Sequence, residues 1–510
     1  MRFLFRIMLT SMLCRENTQI FRLNLNPETI PDTVMGSSFF FYDLETSGID
    51  SRRDRIMQFA GQRTDMDLNP IGEPVNILVA LTDDVLPEPA AILVTGITPQ
   101  KTREEGYTEA QFLNMFYEEV LTPDTIIIGY NNVKFDDEFM RCTLYRNMFD
   151  AYEWQIQQGR SRWDFLDVVR LTRALRPEGI QWPFDENGIP SNRLEKLSAA
   201  NGLAHEHAHD ALSDVYALIG VAKLIKEKQP KLYDYLLKNK EKTAVQELIS
   251  PGGMTYPGHA FVYTAYTYPK EFLHTSVVSA IASGDYKGEY YVFDLRHDPS
   301  PWVEMSADEL RKHCQMSKEE RPEDHSFLPV RKLKCNQCPA VAPYDVLRAD
   351  AGAQERLSID PEAVKRHLAI LKAHPDFGQR ASRALERAFE KDSDPECCLY
   401  DGFIPDSDKA KMAKLRAATA QELRGFDPKF SDKRLQEMLV RYKARNYPGI
   451  LTDEERTAWE EYRAERLRKG LPHFVEELQK AVQSHPDSDT QYILEELRLY
   501  AESIMPAPEE

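Results

Sequence analysis

The sequence predicts an α/β sheet covered by helices, then a small, mainly antiparallel β module with some helix, then an all-helical C-terminal region. Three observations carry this. Between 38 and 226, apolar runs of strand length alternate with helical patterns; between 229 and 333, short β-rich pieces are separated by Gly, Pro and Asp; beyond 360, apolar residues recur at spacings of three and four. A length of 510 residues suits about three domains of roughly 150 residues each. Hydrophobic residues make up 42% and charged residues 29% of the chain, which excludes the disordered, collagen-like and disulfide-scaffold classes. No apolar run reaches the roughly 18 residues that span a bilayer, so no membrane association is expected. Seven cysteines in a chain this long fit a reducing compartment, and a cytoplasmic location is expected. The net charge of −18 does not exclude a polyanionic partner, because binding depends on local charge.

Residues 1–37 stand apart. The opening MRFLFRIMLTSMLC has the basic start and apolar middle of a secretory signal, but Arg6 interrupts it and no small-x-small cleavage site follows. The segment is expected to be a disordered extension or the product of an upstream start, since Met35 stands just before the first strand pattern. SFFFYDLE, RIMQFAGQRT, PVNILVAL and TIIIGYNN read as strands, and FDDEFMRCTLYRNMF and DALSDVYALIGVAKLIKEK as helices. HAFVYTAYTY, SVVSAIA and EYYVFDL supply the β module. RLQEMLVRYKAR, TAWEEYRAERL and QYILEELRLYAESI are amphipathic helices, read as domain core and surface and not as a coiled coil.

Three acidic motifs carry chemistry. Asp43 and Glu45 lie two apart on a strand and share a face, where two carboxylates repel unless a cation lies between them. The alternative is a strand end with solvated acids. Asp136 follows the apolar strand TIIIG through a Gly-Tyr-Asn-Asn turn, at the carboxyl end where α/β sites collect; alternatively Asp136 or Asp137 caps its helix. In His205-Glu206-His207-Ala208-His209-Asp210, Asp210 caps a helix that places Asp214 one turn in, on the face of Leu218 and Val221. A carboxylate facing a sheet is unfavourable unless paired or metal-bound. The three histidines also permit zinc, ranked below magnesium because carboxylates are the only other donors nearby.

In this order the motifs resemble the DEDD superfamily of 3′-to-5′ exonucleases, in its histidine-containing branch. Thr95-Gly96-Ile97-Thr98-Pro99, Ser161 to Asp164, Ala174 to Ile180, Arg193-Leu194-Glu195, Leu399 to Phe403 and Arg441 to Gly449 are similar to the exonuclease I family. The resemblance implies an RNase H-like exonuclease domain over 38–226, an SH3-like domain over 229–386 and a helical C-terminal domain over 388–506. It implies a processive enzyme degrading single-stranded DNA to 5′-mononucleotides in repair and recombination, working as a monomer. Asp43, Glu45, Asp136 and Asp214 would hold two Mg²⁺ about 4 Å apart, with Mn²⁺ as a substitute. His209 would be the general base, an imidazole of pKa about 6.5 being able to take the proton of water. The rival readings are an RNase of the same superfamily and a noncatalytic single-strand-binding scaffold.

Between Arg141 and Arg176 there are seven Arg, no Lys and four acids, interleaved with Tyr145, Phe149, Tyr152, Trp154, Trp163 and Phe165. Cations that follow phosphates, with rings on which bases stack, make a sequence-tolerant groove, although Phe149, Trp163 and Phe165 read better as core. By resemblance, Arg141, Tyr152, Arg170 and Tyr235 line the strand's path, while Arg193 and the Glu45 backbone hold the terminal nucleotide. Ile156 stands where the family pattern expects an aromatic ring. Arg176 matches a position that contacts the acidic C-terminal tail of single-stranded DNA-binding protein. Cys335-x₂-Cys338 reads as half of a zinc site only if Cys397-Cys398 or His313-Cys314 completes it.

Overall fold

The computed structural model describes residues 36–203, 210–253, 255–317, 327–348, 350–386 and 391–506. The N-terminal expectation therefore lies almost wholly outside the described residues, as do His205, His207 and His209.

The first module is a five-stranded sheet in the order β3-β2-β1-β4-β5, built from β1 (Ser38–Thr46), β2 (Ile56–Thr64), β3 (Val75–Leu78), β4 (Thr125–Gly129) and β5 (Ser161–Asp164). β1 runs antiparallel to β2 and parallel to β4, and β4 runs parallel to β5. β1 is apolar at successive positions because helices cover both faces. Phe39 and Phe41 pack with Trp163, Val215, Leu218 and Val221 on one side. Phe40, Tyr42 and Leu44 pack with Phe59, Phe112, Phe139 and Trp154 on the other. Phe149, Trp163 and Phe165 are buried as expected. Tyr145 and Trp154 are fully buried too, so these two rings belong to the core and not to a groove.

The middle module holds a second, wholly antiparallel sheet in the order β10-β6-β7-β8-β9: β6 (Ala260–Thr264), β7 (Thr275–Ser283), β8 (Glu289–Asp294), β9 (Val330–Lys334) and β10 (Val341–Pro343). From Pro361 the described chain is helical with two short 3₁₀ turns before Asp406, and it ends in an antiparallel pair, Asp453–Ser484 and Ser488–Ile504. That pair lays Phe474, Leu494, Leu497 and Ala501 onto Met57, Ile92 and Ile97 of the first module. Its apolar stripe thus faces the sheet domain, consistent with core and not with a coiled-coil seam.

A buried ion network closes the seam between the first and last modules. Arg445 spans Asp84 at 2.8 Å and Glu396 at 2.7 Å, and Arg55 reaches the same two acids at 3.5 and 3.3 Å. Arg146 holds Glu109 at 2.9 Å beside them. The arginines hold all three carboxyls below the ordinary carboxylate range, against the opposing effect of burial. Removing one partner of such a network leaves uncompensated buried charge, so Arg445→Met should lower the unfolding free energy by about 3–5 kcal/mol in urea titrations. Since the folded pKa values lie below the unfolded ones, this stability is complete above the unfolded carboxylate pKa of about 4. It is lost as pH falls through the folded values. The acid limb of the stability–pH curve should flatten in the variant; equal limbs would show that the network contributes nothing.

Candidate active site

Strand alternation places Asp43 and Glu45 on the same face as Phe39 and Phe41, beyond the end of the helical cover, where both become partly exposed. The helix Ala211–Lys228 starts at Asp210, whose carboxylate accepts from the Ser213 N–H at 3.3 Å. Val215, Leu218 and Val221 fix that helix against the sheet and bring Asp214 in its first turn to the strand end. The result is a cluster in which carboxylate oxygens of Asp43, Glu45 and Asp214 all lie within 4.8 Å of one another.

Asp136 approaches from the β4 side. Gly129 leaves β4 so close to Asn132 that a side chain there would lie 2.5 Å from the Asn132 Cβ, and Asn131 adopts a left-handed φ of 67°. This tight turn delivers Asp136 as the first residue of the helix Asp136–Arg146, 3% exposed. Neither Asp136 nor Asp137 caps the helix with its side chain; Phe135 occupies that position. Asp136 is the strongest charged neighbour of Asp43, and the Leu44 backbone N–H stabilises both carboxylates.

Burial together with neighbouring acids raises Asp43 and Asp136 well above the usual carboxylate range and pushes Glu45 up to about 8. Acids crowded this way are the donors that a hard divalent cation takes, and they fit such an ion far better than zinc's nitrogen and sulfur preference. Among the described residues, neither Cys335 and Cys338 nor Cys397, Cys398, His313 and Cys314 form a metal-ligand cluster.

Two residues that sequence reasoning passed over hold this arrangement. Asp137, fully buried, accepts from the Tyr42 hydroxyl at 2.7 Å and the Asn132 amide at 3.2 Å, and pairs with Arg162. Asp164, with its pKa raised to about 7 by burial and by Asp167, accepts from the Asn131 N–H at 3.0 Å and caps the helix Phe165–Leu175. The only sequence signals for them were the doubled Asp after the turn and the acid ending SRWD.

A cleft of about 620 Å³ opens from Asp43 and Asp214 past Arg170 and Arg193 to Lys270 and His274 of the middle module. Arg193 is 74% exposed, while Arg170 is largely buried and pairs with Asp167 at 2.8 Å. Lys270 and His274 went unassigned in the sequence because no local pattern marks them. Arg141, Tyr152 and Tyr235 do not line this cleft. Arg141 is nearly buried, bound to Glu138 and to Gln155 at 3.0 Å, with its guanidinium 5.7 Å from the Tyr152 ring. Tyr235 packs against the main core with its hydroxyl buried. Ile156 is 69% exposed. Arg176 sits at the seam with the middle module and pairs with Asp350 at 3.1 Å. It is therefore not a freely solvated arginine.

Comparison with known proteins agrees with this geometry. Models of an exonuclease domain, of the exonuclease I SH3-like domain and of the exonuclease I C-terminal domain match residues 40–222, 240–390 and 393–504. Exodeoxyribonuclease I of Haemophilus influenzae is 40% identical, covering 89% of this chain and 96% of that protein. The chain belongs to the exonuclease I family. Crystallised Escherichia coli exonuclease I in complex with a dA16 oligonucleotide superposes with a TM-score of 0.88 at 38% identity, covering 92% of this chain and all of that one. A zinc-bound form of the E. coli enzyme with single-stranded DNA superposes at 0.87, again at 38% identity, covering 92% of this chain and 99% of that one. The family's exonuclease, SH3-like and helical domains are thus the three modules described above.

Because a cation must displace the proton that Glu45 holds up to about pH 8, Mn²⁺ or Mg²⁺ binding to the metal-free protein should release protons and tighten as pH rises toward 8. Calorimetry in buffers of different ionisation enthalpy measures this. In Glu45→Gln the proton release should shrink, and undiminished release would exclude Glu45 as its source.

Proposed function

We propose that this chain is a magnesium-dependent 3′-to-5′ exonuclease that degrades single-stranded DNA processively to 5′-mononucleotides, with roles in repair and recombination. The observation that carries the reading is the crowding of four carboxylates, Asp43, Glu45, Asp136 and Asp214, at an arginine-lined cleft, in a member of the exonuclease I family. Asp43, Glu45, Asp136 and Asp214 would hold the metal, as two ions, which would supply activation of the attacking water and charge stabilisation at the leaving 3′ oxygen. His209 would serve as the general base that accepts the proton of the attacking water. Arg193 and the Glu45 backbone hold the terminal nucleotide, and Arg170 meets the next phosphates, which orients the last phosphodiester toward the carboxylates. Arg141, Tyr152 and Tyr235, which lie outside the cleft lining, are proposed as further contacts along the path of the same strand.

The reading favours DNA over RNA because the family's curated members are exodeoxyribonucleases. A 3′-labelled oligonucleotide of each kind, incubated with Mg²⁺ and then with EDTA, tests substrate and metal together. Asp214→Ala should abolish cleavage of the DNA while binding in EDTA stays within about twofold of wild type, since the variant removes a metal donor and no arginine. Near-normal turnover would refute the metal assignment, and a scaffold would show no cleavage in the wild type.

Arg176 is proposed as the contact for the acidic C-terminal tail of single-stranded DNA-binding protein. Its salt bridge to Asp350, with 39% of the side chain still exposed, is one that an incoming tail carboxylate can replace. Arg176→Ala should weaken tail-peptide binding and slow degradation of protein-coated DNA several-fold, leaving bare DNA unaffected. Equal slowing on both substrates would place Arg176 in the DNA path.

A further inference from the structure

The Cys335-x₂-Cys338 loop joins no metal-ligand cluster among the described residues, yet it is bonded to Arg162 of the first module. Cys335 begins a 3₁₀ turn after β9, and Cys338 closes it at a left-handed φ of 50°. The Cys338 thiol donates to the Arg162 carbonyl at 3.3 Å, and the Arg162 guanidinium donates to the Asn336 carbonyl. One residue of β5, the edge strand of the first sheet, is thus gripped from both its backbone and its side chain by the middle module.

The other arm of the same guanidinium pairs with Asp137. Asp137 in turn takes the hydroxyl of Tyr42 and the amide of Asn132, so it joins β1, the β4 turn and β5 at a single carboxylate. Its neighbours in the chain are the significant point. Tyr42 precedes Asp43, and Asp137 follows Asp136, so both residues that anchor the hub are covalently adjacent to proposed metal donors. The Arg162 side chain is only 10% exposed and Asp137 is fully buried, so this pair lies inside the seam, while the contact with Asn336 is at its solvent edge.

We propose that Arg162 is a positioning residue through which the Cys335–Cys338 loop of the SH3-like domain fixes Asp43 and Asp136 for metal binding. It lies outside both the carboxylate cluster and the lining of the cleft. Without it, the Asp137 carboxylate stays buried without its cation, and the turn carrying Asp136 loses its anchor. The inference rests on the metal-dependent exonuclease reading, and the test separates the two.

The experiment uses the full chain and its Arg162→Gln, Asp137→Asn, double and Arg162→Lys variants. Mn²⁺ alone is titrated into nucleic-acid-free protein and followed by the electron paramagnetic resonance of free Mn²⁺. Affinity for a single-stranded oligonucleotide is measured in EDTA by fluorescence anisotropy. Arg162→Gln should weaken Mn²⁺ binding by about tenfold or more, the usual effect of losing a residue that orients metal ligands. Oligonucleotide affinity should stay within about twofold. Adding Asp137→Asn removes the stranded charge and should restore most of the Mn²⁺ affinity, a coupling that independent sites do not show. If Arg162→Gln does not fold, Arg162→Lys, which keeps the charge but cannot span Asp137 and Asn336 together, should still weaken Mn²⁺ binding several-fold. Unchanged Mn²⁺ affinity in the folded variants, losses that merely multiply in the double variant, or a parallel loss of oligonucleotide affinity would each overturn the inference. Wild-type protein that binds Mn²⁺ but leaves DNA intact would defeat the exonuclease reading and not the role of Arg162.

Discussion

Carboxylates that repel one another are forced together at the end of β1, and the rest of the molecule is arranged to tolerate that. Asp43, Glu45 and Asp214 share a space narrower than 4.8 Å, with Asp136 beside Asp43, and neighbouring acids with burial raise the pKa of Asp43 and Glu45. In water such groups would separate. They stay because each is fixed by a part of the backbone that cannot move: a central strand packed on both faces, a helix held by its apolar stripe, and a turn that only glycine can start. The raised pKa values are the record of that constraint, and a divalent cation is what relieves it.

The chain keeps two kinds of buried charge for opposite purposes. At the seam with the C-terminal domain, Arg55, Arg445 and Arg466 surround Asp84 and Glu396, and the carboxyls there are held low. At the active end Asp43 and Asp136 are crowded by other acids and held high. The first arrangement locks one domain to another, and the second stores affinity for an ion. Asp137 lies at the boundary, one residue from Asp136 but neutralised by Arg162.

The middle module does more than extend the surface. It contributes Lys270 and His274 to the cleft, lays the Tyr266 ring 3.6 Å from the Lys134 ammonium just ahead of Asp136, and grips Arg162. A strand of nucleic acid entering the cleft would therefore meet two domains at once. Arg170, Arg193, Lys196 and Lys270 line the cleft beside its acids, so phosphates would find cationic partners there although the chain carries a net charge of −18.

The shared face of Asp43 and Glu45, the cap at Asp210, the turn ahead of Asp136 and the helical face of Asp214 were all legible in the sequence, because each is written in a repeat of two or of three to four residues. That same locality made the three-module order readable. The sequence singled out Asp136 but left Asp137 as no more than an alternative cap, since nothing local shows that Tyr42, Asn132 and Arg162 meet at its carboxylate. Nor could it tell that Arg141 is nearly enclosed by Glu138 and Gln155, that Arg176 meets Asp350, or that Trp154 belongs to the core. Arg162 and Asn336 lie 174 positions apart, as do Arg176 and Asp350. Periodicity decides which way a side chain points on its own element; only the packing of one domain on another decides what it then finds there.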